Sequence, residues 1–155
     1  MSFSTTSILE ALRDLIAADT DLLSWCQSTY SSNPVVYLGV DEDSPAAESE
    51  YPVIGIVSIS RKGSLAANTV TWEVDIGCGV IQSTITTSGI KKTYEGLAES
   101  SYLMELIERA IIKSKQFRIV DFEGVSGAIV DYPAFVAYST VTLAVHPSSR
   151  IPRFR

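Results

Sequence analysis

Histidine occurs once and cysteine twice in this chain of 155 residues, and those scarcities exclude most side-chain chemistry. With His146 as the single imidazole, every Ser-His-Asp or Cys-His arrangement would have to use it, and it closes an apolar run directly before Pro147. We expect no catalytic role for it. Zinc sites built from several His and Cys are excluded by the same counts. Cys26 falls in a helical pattern and Cys78 in a strand pattern, and both read as small buried hydrophobes of a reducing compartment. Long apolar runs are missing too, so no segment has the roughly eighteen residues that a membrane span requires. Residues 1–7 are polar and uncharged, unlike a secretory signal, and the expected compartment is the cytoplasm in which the chain is made. Positive charge is in deficit, with 12 Lys and Arg against 18 Asp and Glu. A net charge of −6 argues against a protein that neutralises the phosphates of duplex DNA.

The near-motifs fail on their own terms. Gly124-Val125-Ser126-Gly127 has the start of a nucleophile elbow, but Ala128 stands where the last glycine is needed, and a turn is the better reading. Gly77-Cys78-Gly79 lacks the third glycine of a dinucleotide fingerprint, Gln82 occupying that place inside a strand pattern. Asp41-Glu42-Asp43 offers hard oxygen ligands, yet Pro45 and Ala46 break the calcium-loop pattern. It reads as a solvated loop. No catalytic, cofactor-binding or metal-ligating residue is assigned, and the chain is expected not to be an enzyme.

What is present is a pattern of helices and strands around one core. The hydrophobic fraction of 46% is that of a folded protein, and nothing in residues 1–155 resembles an interdomain linker. Residues 95–115 form the longest amphipathic pattern, with Leu103, Leu106, Ile107, Ala110 and Ile111 on one stripe, Tyr102 beside it and Leu97 and Ala98 earlier. Glu95 and Glu99 near its start and Lys113 and Lys115 near its end oppose the helix dipole. A first helix is expected over residues 6–18, with Ser7 and Glu10 as a capping box, and a short second piece around Leu22, Leu23, Trp25 and Cys26.

Strands are expected at 35–40, 53–61, 69–82, 117–122 and 134–146. The third alternates most cleanly, placing Trp72, Val74, Ile76, Cys78 and Val80 on one face and Glu73, Asp75, Gly77 and Gly79 on the other. The two glycines mark a bulge or a close approach by another backbone. Residues 41–50 read as an exposed acidic loop, 83–94 as a long connection and 123–133 as a turn region. The element order predicts an α+β domain: a mixed or antiparallel sheet of about five strands with two main helices packed on one face. Residues 147–155 form a basic tail on an acidic chain. Its Arg150, Arg153, Phe154 and Arg155 are residue types enriched at interface cores.

This layout resembles the tail terminator, or tail completion (neck), proteins of tailed bacteriophages. The resemblance covers most of the chain and rests on the Ile8, Leu9, Leu12, Leu15 stripe, the acidic loop, Tyr51-Pro52-Val53-Ile54 opening a core strand, one long helix and a long final strand. It implies a virion subunit that closes into a six-fold homo-oligomeric ring on the tail tube protein, ends tail growth and meets the head connector protein. DNA passes through such a ring without specific binding, and the family has no catalytic residues and no cofactor to carry over. Here the resemblance makes Arg150, Arg153, Phe154 and Arg155 interface candidates. Asp41, Glu42, Asp43, Glu48, Glu50, Glu73 and Asp75 become candidates for a lumen that repels phosphate. Two alternatives stay open: another neck, connector or tube subunit, or a small enzyme or ligand-binding module with a pocket between helix and sheet, where Ser139 and Tyr138 are the polar groups on offer.

Overall fold

The computed structural model describes residues 3–41, 43–44, 46–63, 70–146 and 151. Its first helix, α1 (Thr5–Ala17), starts one turn earlier than the Ser7 capping box predicts, because Ser4 is the residue with extended backbone and its hydroxyl accepts from the Ser7 N–H at 3.4 Å. Ile8, Leu12, Leu15 and Ile16 form its buried stripe. Asp19 then caps α2 (Thr20–Tyr30), its carboxylate accepting from the Leu22 N–H at 3.0 Å. Ser31 ends that helix in the left-handed conformation at φ 55°. The second piece is therefore a full helix, and the described residues hold three α-helices rather than two main ones.

The third, α3 (Glu95–Lys113), buries Leu103, Leu106, Ile107, Ala110 and Ile111 as its spacing predicts, and Met104 beside them. Its first turns differ from the expectation. Leu97 and Ala98 are exposed, and Gly96 and Ser100 are buried; at Gly96 the helix lies so close against the Phe135 ring that a Cβ would overlap it. The helix also stops at Lys113, since Ser114 turns its hydroxyl onto the Ile111 carbonyl and Lys115 takes a positive φ of 55°. The freed Lys113 ammonium reaches Asp19 at 2.9 Å and Asp21 at 2.7 Å, tying the end of α3 to the start of α2.

The strands are β1 (Val35–Leu38), β2 (Val53–Lys62), β3 (Thr71–Ile81), β4 (Ile85–Ser88), β5 (Lys91–Tyr94), β6 (Phe117–Asp131) and β7 (Ala134–Val145). Five of them form one mixed sheet in the order β1-β2-β3-β7-β6, with β1 parallel to β2 and the other neighbours antiparallel. This is the α+β architecture expected. Trp72, Val74, Ile76, Cys78 and Val80 of β3 pack with Phe135, Ala137, Val141 and Leu143 of β7 against the helices. Ile151 returns to the same core. Within it, Ser139 donates to Glu108 at 2.9 Å and the Cys78 thiol donates to the Ser100 carbonyl at 3.3 Å.

Two elements depart from the sequence reading. The region 123–133, expected as a turn, continues β6 almost to β7. Its glycines sit in a long strand whose pairing with β7 shifts register three times, so no hydrophobic alternation survives to announce it. The stretch 83–94, expected as a connection, is a separate hairpin of β4 and β5 turning at Gly89 and Ile90. Its alternation is invisible in the sequence because neither face is buried. Among the described residues no helix is long and apolar enough to cross a membrane.

Candidate assembly surface and open-face cavity

On the sheet face turned away from the helices, β3 presents Glu73, Asp75, Gly77 and Gly79. Gly77 pairs with Gly55 of β2 on one side and Tyr138 of β7 on the other, and Gly79 pairs with Val53 and Val136. The missing side chains are used. A Cβ at Gly79 would lie 2.9 Å from the Tyr51 ring, one at Gly77 would lie 3.1 Å from the Tyr138 ring, and one at Gly55 would lie 2.8 Å from Val40. The three glycines thus let two aromatic rings and a valine come down onto the sheet; the approach at Gly77 and Gly79 is by side chains, not by the backbone that the sequence led us to expect, and the neighbouring bulge lies in β2 at Ile56–Ser58.

Described residues between Gly39 and Tyr51, together with this face of the sheet, line an open cavity of about 820 Å³. Tyr37, Tyr51, Tyr138, Val57 and Val136 supply apolar wall, and Asp41 and Glu50 supply two carboxylates. Two turns hold the acids. Asp41 accepts from the Asp43 N–H at 3.0 Å, and Glu50 closes the 3₁₀ turn Glu48–Glu50 by accepting from the Ala47 N–H at 3.1 Å. Tyr37 also donates its hydroxyl to Glu50, and this bond to a carboxylate raises the phenol above its ordinary value of 10.0. Among the described lining residues there is no Lys, Arg or His. The pocket therefore lies on the opposite side of the sheet from the one expected between helix and sheet. Tyr138 belongs to it, but Ser139 is buried beneath α3 and bonded to Glu108.

The seven acidic candidates divide. Asp41 and Glu50 line the cavity, and Glu73 and Asp75 stand on the same sheet face. Asp43 and Glu48 face solvent, and Glu42 lies outside the described residues. Glu73 is paired with Lys62 at 2.5 Å, which removes most of its field. Asp75 instead accepts from the hydroxyls of Ser58 and Thr140, and these bonds hold its carboxyl below the ordinary 3.8. The interface candidates Arg150, Arg153, Phe154 and Arg155 also lie outside the described residues. Among the described residues no three His, Cys, Asp or Glu side chains converge in a way that could hold a metal ion.

Sequence reasoning missed two features. One is a polar junction in which Tyr30 of α2 donates to Glu99 at 2.7 Å while the Gln82 amide donates to the same carboxylate at 3.0 Å. Glu99 reads as a wet helix position, and only the packing of α2 and β3 beside it encloses it. The other is the β4–β5 hairpin. Residues 83–93 are exposed throughout, and Ile90 at the tip is fully exposed. At its base Tyr94 stacks edge-on against Tyr132, whose hydroxyl donates to the Ser83 carbonyl. The base is fixed to the body and the tip stands in solvent.

No protein-family model matches this chain, and no curated protein matches it in sequence.

Proposed function

We propose that this chain is a structural virion subunit of the tail-terminator kind, closing into a six-fold ring that caps a phage tail tube, ends its growth and joins it to the head connector. The observation that carries this reading is the β4–β5 hairpin. A two-stranded hairpin with both faces in water is marginal on its own, and Ile90 at its tip is the most exposed of the chain's described large hydrophobics. Both make sense in a subunit that reaches its neighbours. The edges of the main sheet are poorer contact elements, because β1 has four residues and the long edge strand β6 is broken by three register shifts, a device that discourages edge pairing.

In a ring, Asp75 on the open face, with the solvent-facing loop acids Asp43 and Glu48, would present negative charge to passing DNA and keep it from adhering. The basic segment holding Arg150, Arg153, Phe154 and Arg155 is a second contact, to a neighbour or to the partner ring. Other neck, connector or tube subunits share this assembly logic and differ in where the ring sits. A second reading, a small-ligand module, is favoured by one observation: the cavity falls within the roughly 300–1,000 Å³ usual for ligand sites.

Sedimentation velocity over a concentration series tests the assembly reading. The wild type should form one closed oligomer, and I90D should raise the concentration at half-assembly about tenfold or more, as loss of a buried apolar anchor does. Identical sedimentation of the two proteins would remove the hairpin from the argument.

A further inference from the structure

We propose, building on the ring-forming reading, that the open-face cavity of one copy receives the β4–β5 hairpin tip of the next. The two surfaces are complementary in polarity and charge. The cavity has an apolar wall, two carboxylates and, among its described lining residues, no cation. The tip offers Ile90 with Lys91 and Lys92 next to it. Lys92 is drawn back over the Tyr94 ring at 5.8 Å, which leaves Lys91 beside the leading isoleucine. Ile90 would enter between Tyr51 and Tyr138 over the glycine floor, with Lys91 placed against Asp41 and Glu50.

Within one copy the tip does not fill this site. Ile90 is fully exposed, and no atom outside the turn comes within 4 Å of a Cβ built at Gly89. A tip that fits a different surface on the next copy makes a heterologous contact, and repetition of such a contact closes a ring when the rotation allows it. The occupant is thus a second copy of this chain. The same contact would cover Val57 and Tyr138, which stand at the cavity about half exposed.

Disulfide trapping between full-length chains tests this. Chains carrying I90C are mixed with chains carrying V57C under mild oxidation, and the reference is I90C mixed with S28C, an exposed position on α2. The native Cys26 and Cys78 are buried and contribute no background. The I90C and V57C mixture should give the mixed dimer at least about tenfold faster than the reference, and K91E/K92E in the I90C chain should abolish that advantage. Adding D41K/E50K to the V57C chain should restore it. A rate no faster than the reference overturns the proposal. Native mass spectra of the wild type separate the two ideas: closed rings without the trapped dimer leave the ring reading standing alone, and a trapped dimer without closed rings leaves only the tip-in-cavity contact.

Discussion

Replacing Gly96 with alanine sets helix propensity against packing, and the structure decides which wins. In an exposed helix interior alanine is worth about 1 kcal/mol over glycine, so local preference alone predicts a more stable protein. Gly96, however, is buried in the first turn of α3. A Cβ built there overlaps three atoms of the Phe135 ring, and Phe135 is 0% exposed with nowhere to swing. Overpacking of a closed core typically costs about 1–3 kcal/mol, and at a first-turn position the propensity gain is less than its full value. The expected result is a net loss of about 1–2 kcal/mol, or about 2–8 °C in the thermal midpoint of a domain this size. Urea unfolding at constant m-value would measure it, with G124A as the reference, since a Cβ at Gly124 meets nothing within 4 Å. Adding F135L should recover part of the loss, giving a double-mutant cycle that is not additive. If G96A matches or exceeds the wild type, or if the two substitutions simply add, the tight seat of α3 on β7 is wrong.

Two further outcomes follow from burial and hydrogen bonding. Burial pushes the thiols of Cys26 and Cys78 up to about 11 and about 12, so at neutral pH both should resist a thiol reagent in the folded protein and react at once in denaturant. Rapid labelling of either in the native state would contradict their place in the core. Asp75 is held below 3.8 chiefly by the Ser58 hydroxyl and then by that of Thr140. A carboxylate depressed in the folded state adds stability that is complete above its unfolded value and is lost as pH falls through the folded one. D75N should therefore lower the urea midpoint modestly near neutrality, with the gap to wild type closing well below pH 3.8; a gap that persists in strong acid would rule out the charge as its source.

The fold was legible where a face is buried. The stripes Ile8, Leu12, Leu15, Ile16 and Leu103, Leu106, Ile107, Ala110, Ile111, and the alternation from Trp72 to Val80, each point to the core as their periods predict. It was illegible where burial is absent or pairing irregular. The β4–β5 hairpin has no dry face to imprint a period, and the three register shifts of β6 scramble one that would otherwise run fifteen residues. The cavity was half legible: Gly77 and Gly79 announced a close approach, though of a backbone and not of the side chains that come, and Gly55, Tyr51 and Tyr138 reach it only through strand register. The acids at 41 and 50 read as loop charge because their shared cavity depends on the sheet face they lie against.

Native mass spectrometry of the wild-type chain over a concentration series, with negative-stain averages of the same sample, bears most directly on the ring-forming reading. A dominant hexamer mass and six-fold rings are the expected result. Monomers or open-ended chains at every concentration, in the free protein and after incubation with purified tail tubes, would contradict it.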